Sequence, residues 1–161
     1  MKIPADGTTI YDKPFSRMWF DDEGILNVIT KNTPRTLQAT KENLDFVRQI
    51  ANGKLICAIA DVSYSGMMDR ETRQYVKKEF PKVYKALAIL THSALGKMIG
   101  TLLAAVISSS VPTKIFTDEN QAREWIRQYL SPLEEEIPIY RDRGKMKEQP
   151  FNYLRTRFRF C

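Results

Sequence analysis

Side chains that could perform catalysis or bind a metal are scarce in this sequence. The chain of 161 residues contains one histidine, His92, and two cysteines, Cys57 and Cys161. A zinc site built from Cys and His needs about four ligands, which is more than the chain offers. His92 follows a predicted strand and could act as a general base, but no cysteine or serine stands at a recognised spacing from it. We therefore expect a structural role for His92, and no catalytic residue, metal or cofactor.

The acidic residues are not arranged as a metal site either. Asp61 follows a wholly apolar run, residues 55–60, and so marks the end of a predicted strand. One carboxylate does not make a metal site, and the role we expect for Asp61 is to anchor a loop. The acidic residues 21–23 precede Gly24 in a predicted hairpin turn, where glycine can adopt a positive φ. For this cluster we expect exposure to solvent rather than calcium binding.

Hydrophobic patterning predicts strands that alternate with helices along most of the chain. With 43% hydrophobic and 27% charged residues, the composition is globular, which excludes wholesale disorder. The predicted strands are 15–20, 25–30, 55–60, 86–90 and 113–116, and the predicted helices are 36–50, 69–80, 94–107 and 118–130. The third and fourth strands are apolar throughout, as is typical of a parallel sheet covered on both faces. The sequence therefore predicts an α/β domain with a mixed, mostly parallel sheet, an opening antiparallel hairpin and helical cover.

The sequence also suggests the domain boundaries and the cellular compartment of the protein. Residues 1–14 form a turn-rich N-terminal segment, residues 15–131 form the α/β domain, and a basic, aromatic arm begins at residue 132. The longest uncharged run, residues 98–113, is shorter than the roughly 20 apolar residues that a membrane span needs. The first residues do not resemble a signal peptide, and two isolated cysteines make no disulfide framework. We therefore expect a cytoplasmic protein without a transmembrane segment.

The C-terminal arm carries most of the net charge. The chain has a formal net charge of +6, and residues 140–161 hold seven basic and two acidic residues. Over residues 154–160, arginines alternate with mostly apolar side chains, as in a strand with one docked and one solvated face. The residues that we expect to bind a partner are Phe151, Tyr153, Arg155, Arg157, Phe158, Arg159 and Phe160. We expect the arm to dock onto a partner protein or a second subunit, and binding of nucleic acid or anionic lipid stays an open alternative.

Four stretches carry a resemblance to a known family. They are RMWFDDEGILNV at 17–28, LICAIAD at 55–61, ALAILTHSALG at 86–96 and PTKIFTDENQAREWI at 112–126. Together they resemble the STAS-like domains, which include anti-sigma factor antagonists and small bacterial proteins likened to CRAL-TRIO lipid-binding domains. The resemblance covers about residues 15–130. It implies a single STAS-like domain with a non-catalytic regulatory or protein-interaction function, and it permits a carrier of a small apolar ligand or lipid as an alternative.

One departure from that family concerns the start of the second helix. The antagonists carry a phosphorylated serine there, in an Asp-Ser-Ser-Gly pattern. Asp69 fits the aspartate, but Arg70 replaces the serine, and the nearest serines are Ser63 and Ser65. A helix start also favours anions in general, because its first N–H groups lack partners. We therefore take these four residues as a possible anion or regulatory site, with a simple N-cap at Asp69 as the alternative.

Helix 94–107 is apolar on nearly all sides. The apolar residues Leu95, Met98, Ile99, Leu102, Leu103 and Val106 follow helical spacing and predict the buried face. Gly96, Gly100 and Ala104 form a stripe of small residues on which another helix could pack closely. This stripe is either covered within the chain or serves as a homodimer face or the wall of a lipid pocket.

Overall fold

The computed structural model describes residues 1, 3–4 and 7–130. The predicted partner-binding residues of the arm, from Phe151 to Phe160, therefore lie outside the described residues. None of the helices in the described ranges combines the length and apolar character needed to cross a bilayer.

A six-stranded sheet forms the centre of the domain. Its strands are β1 (Tyr11–Lys13), β2 (Ser16–Phe20), β3 (Leu26–Thr30), β4 (Ile56–Asp61), β5 (Tyr84–Leu90) and β6 (Thr113–Phe116). They lie side by side in chain order. The first three strands pair antiparallel, and β3, β4, β5 and β6 pair parallel. This topology confirms the predicted fold class: a mixed, mostly parallel sheet that opens with an antiparallel hairpin.

Helices cover both faces of the sheet. They are α1 (Leu37–Ile50), α2 (Arg70–Glu79), α3 (Ala94–Ile107) and α4 (Glu119–Arg127), and a 3₁₀ turn, Phe80–Lys82, follows α2. Because parallel strands in chain order are joined by right-handed crossovers, α1, α2 and α3 must all lie on one face. Accordingly, these three helices contribute to one hydrophobic core, and α4 contributes Ala122 and Ile126 to a second.

The N-terminal segment contains a strand that was not predicted. β1 pairs with β2 in the register Tyr11↔Met18, so residues 1–14 are not only turns. Three residues ending before a proline are too short to show a period-2 pattern. The strand is stabilised by distant partners, since the Tyr11 ring lies 5.3 Å from that of Phe46 in α1. The strand was missed because this segment carries no local signal for it.

The rotation of α3 about its axis also differs from the prediction. Leu95, Met98 and Leu102, predicted to face the core, are 55%, 48% and 42% exposed. Gly96 and Gly100 are buried instead. A Cβ at Gly96 would lie 2.3 Å from Oγ1 of Thr91, so the glycine faces the end of β5 in its own chain.

The predicted dimer face is therefore covered within the chain. Gly96 and Gly100 approach the sheet, and Ala104 packs beside the same core. The physical reason is that a helix with a single charged residue, Lys97, has no polar stripe to fix its rotation. The stripe of small residues instead allows α3 to pack closely on the sheet.

Candidate functional site

Polar residues collect where the parallel strands end, the edge at which open α/β sheets bind ligands. In this chain these residues form hydrogen bonds with each other. The hydroxyl of Ser63 accepts the backbone N–H of His92 at 2.9 Å. The hydroxyl of Ser93 donates to the carbonyl of Ser63 at 2.8 Å and accepts the N–H of Gly96 at 2.9 Å. These bonds join the loop after β4 to the start of α3, so both serine hydroxyls have structural partners.

Asp61 takes part in the same loop. Its Oδ1 accepts the backbone N–H of Ser63 at 3.0 Å, and its own carbonyl accepts the hydroxyl of Thr30 at 2.8 Å. Within the described ranges no group of three or more His, Cys, Asp or Glu residues could hold a metal ion. The geometry of Asp61 is that of a loop anchor.

The four residues predicted as an anion or regulatory site are not brought together. Ser63 and Ser65 are 7% and 3% exposed, so neither presents a free hydroxyl at the surface. Asp69 caps α2 and accepts the N–H of Thr72 at 2.7 Å, and this bond lowers the pKa of Asp69. Arg70 is exposed in the first turn of α2. Asp69 therefore acts as the N-cap that was the alternative to an anion site at the helix start, and a regulatory role for these four residues stays a prediction.

Ser65 lies beside a residue that the sequence interpretation missed. The guanidinium of Arg35 donates to Oγ of Ser65 at 3.3 Å. Arg35 precedes α1 and forms an isolated parallel bridge with Met68. Its position in the sequence, between Pro34 and the N-cap Thr36, carried no signal, since the loop that it contacts lies about thirty residues further on.

His92 lines an open cleft rather than an enclosed pocket. The cleft has a volume of about 310 Å³ and is also lined by Ser93, Lys97 and Thr117. The imidazole is exposed, and its bond to the network comes from its backbone N–H. The structural role expected for the His92 side chain therefore stays a prediction.

An exposed apolar surface lies next to this edge. We call Met67, Leu95, Met98 and Leu102 the α3 patch. All four side chains are 42% to 55% exposed. Three lie on one stripe of α3, and Met67 shares a cavity of about 10 Å³ with Leu102. The sequence showed these residues as apolar, but the helical period was interpreted as pointing them inward.

The class of protein follows from this geometry: an α/β domain with a mixed sheet, three helices on one face and one on the other. A solved structure with a similar fold is an uncharacterised protein from the DUF3478 family with a SpoIIAA-like fold, from Shewanella loihica PV-4. It is 15% identical, with a TM-score of 0.48, and the match covers 74% of this chain and 92% of that chain.

Comparison of the sequence with known families identifies the family of this chain. The model of DUF7793, a domain of unknown function, matches residues 18–130, and the chain belongs to this family. The search of curated proteins found no match.

Proposed function

We propose that this chain is a non-catalytic protein-interaction module that binds a partner protein through the α3 patch. The observation that carries the proposal is the outward face of α3, on which Lys97 is the single charged residue. Surface helices normally present a polar face to water, and contiguous exposed apolar groups mark interaction sites. The non-catalytic assignment is supported by the carboxyl edge, where the hydroxyls of Ser63 and Ser93 are engaged in bonds within the chain.

Burial of the α3 patch would contribute favourable free energy to binding. Full burial of a leucine or methionine side chain contributes about 1.5–3 kcal/mol relative to full exposure. The patch residues are about half exposed, so the exposed part of each side chain can still be buried against a partner and contribute part of this free energy. A few such residues at the centre of an interface typically dominate its affinity.

The charges beside the patch indicate the chemistry of the partner. Lys97 lies between Leu95 and Met98, and Arg73 lines the same small cavity as Met67. Neither cation forms an ion pair with a described residue; the Arg73 guanidinium donates to the carbonyl of Met68 at 2.6 Å. A complementary partner therefore presents apolar side chains flanked by Asp or Glu.

The arm supplies a second contact in this proposal. Its alternation of arginines and apolar residues over 154–160 suits a strand that docks on another protein, and its charge suits the same acidic partner.

The patch is tested by comparing two leucines that are equally exposed. Leu95 is 55% exposed on α3, and Leu55 is 53% exposed before β4. A protein captured from native lysate by the wild-type chain is purified, and its Kd is measured. We expect Leu95→Asp to weaken binding by about tenfold or more, because it places a charge in an apolar contact that faces acidic groups. Leu55→Asp is the control, expected to bind within about twofold of wild type, and equal Kd values for both variants would contradict the proposal.

The arm is tested by deletion of residues 132–161. We expect the shortened chain to keep its circular dichroism spectrum and cooperative unfolding, since the two cores are built from residues of the described domain. We expect partner capture or assembly, followed by size-exclusion chromatography, to be lost. Unchanged assembly of the folded, shortened chain would refute the role of the arm.

A further inference from the structure

Arg35 is a partly buried cation without a counter-ion among the described residues. No ion pair between described residues includes it, whereas Arg17, Arg48, Arg123 and Arg127 all pair with carboxylates. Among the described residues, its guanidinium donates to Oγ of Ser65, a neutral acceptor, at 3.3 Å. Partial burial lowers the pKa of the Arg35 guanidinium. A desolvated cation of this kind is stabilised by an anion.

The nearby ionisable group does not provide that anion. Burial raises the pKa of Tyr84 to about 12, and the charge of Arg35 acts against this rise. The phenol is therefore neutral at neutral pH and cannot balance the guanidinium. Within residues 1, 3–4 and 7–130, no acidic group balances the positive charge of Arg35, and an anionic ligand would balance it.

Two loops hold Arg35 in place. Its backbone bridges to Met68, and a Cβ at Gly66 would lie 2.5 Å from the carbonyl oxygen of Thr33, so the two segments are in close contact. Oγ1 of Thr33 is buried and has no hydrogen-bond partner among the described residues. A buried hydroxyl without a partner is rare in folded proteins and calls for a polar atom that the described residues do not supply. The orphaned hydroxyl belongs to the same short segment as the unpaired cation.

We infer that Arg35, Ser65 and Thr33 form a binding site for a small phosphate group, either free phosphate or a phosphate monoester. The guanidinium offers a fork of N–H donors that matches phosphate oxygens. The hydroxyls of Thr33 and Ser65 add donors of the kind that phosphate accepts. The hydroxyl of Ser65 at present donates to the carbonyl of Gly66 at 3.4 Å, a long bond that a phosphate oxygen can replace. The site shares no residue with the start of α2, which Asp69 caps, or with the α3 patch, although its loop also contains Met67.

The test uses inorganic phosphate as the probe and the full chain as the protein. Binding is measured by titration calorimetry at pH 7, with acetate as a second probe and glycerol phosphate as a third. We expect Arg35→Met to weaken phosphate binding by about 10–100-fold and Ser65→Ala by about 2–10-fold, from the usual strengths of charged and neutral hydrogen bonds. Arg70→Met is the matched control, because Arg70 is an exposed arginine at the start of α2, and its Kd should equal that of wild type.

Each outcome decides the proposal. We expect Arg35→Met to fold, since it removes an unbalanced charge and keeps the aliphatic stem. If it does not fold, Ser65→Ala and Thr33→Val decide, and unchanged Kd values in both would overturn the site. It would also be overturned if wild type did not bind phosphate, if Arg70→Met weakened binding as much as Arg35→Met, or if acetate bound as tightly as phosphate. Tighter binding of glycerol phosphate than of phosphate would identify the ligand as a monoester.

Discussion

Replacement of Gly96 by alanine is expected to lower the free energy of unfolding by about 3 kcal/mol, although alanine favours a helix over glycine by about 1 kcal/mol. The added Cβ would lie 2.3 Å from Oγ1 of Thr91 and 2.9 Å from Cα of Ser63. The second contact is with backbone, which cannot rotate away as a side chain can. Ser63 is also held against the start of α3 by the bond from Ser93, so the helix must move outward and lose contacts with the sheet.

Gly100 provides the matched control on the same helix. A Cβ there would lie 3.0 Å from Cγ2 of Ile89, a side-chain atom that can yield by a few tenths of an ångström. We expect Gly100→Ala to change stability by less than about 1 kcal/mol, because helix propensity offsets the crowding. Urea unfolding followed by circular dichroism measures both variants. A stabilised Gly96→Ala variant would mean that Gly96 faces solvent, as the sequence prediction of a dimer face required.

The elements of the fold were predictable because their signals are local. Residues 56–60 of β4 and 86–90 of β5 are apolar throughout, which indicates a sheet covered on both faces. The predicted caps Asp69, Ser93 and Asp118 all accept an N–H from the third residue that follows. The hydrogen bond of such a cap joins residues within one turn of helix, so four consecutive residues are enough to predict the cap.

The features that the sequence did not reveal depend on distant partners. A helix with a single charged residue, as α3 is, packs equally well through several faces, and the close approach of Gly96 to Ser63 and Thr91 selects one of them. β1 is too short for a periodic pattern and depends on α1. Arg35 acquires its desolvated setting from a loop thirty residues away. The candidate sites therefore emerged from the tertiary structure, even where their residues had been noticed.

Besides its ion pair with Glu119 in the same helix, Arg123 of α4 contacts two residues about 100 positions earlier in the chain. Nη1 of Arg123 lies 2.6 Å from Oδ2 of Asp21, and Nη2 donates to Oδ1 of Asn27 at 2.8 Å. Asp21 therefore does more than occupy a solvated turn, since its carboxylate also accepts the N–H of Ile25 at 2.9 Å. The Asn27 side chain is fully buried, so its oxygen has no water to replace the arginine.

Arg123→Met is accordingly expected to lower the free energy of unfolding by about 2–3 kcal/mol. The variant keeps the aliphatic stem but leaves the amide oxygen of Asn27 buried without a donor and Asp21 without its cation. Arg127→Met is the control. Arg127 pairs with Glu23 at 2.6 Å, but the two side chains are 53% and 36% exposed, so its loss should cost less than about 1 kcal/mol.

Salt separates the two interactions further. Adding about 0.5 M NaCl should reduce the small effect of Arg127→Met, because exposed pairs are screened, and should leave most of the effect of Arg123→Met, because its partners are desolvated. Denaturation in urea at both ionic strengths provides the comparison. Equal losses from the two variants, or an Arg123→Met effect that salt abolishes, would show that the apolar face of Ala122 and Ile126 alone holds α4 to the sheet. The larger, salt-resistant loss would show that a buried polar network fixes the helix to the opening hairpin, and thereby links the two ends of the described domain.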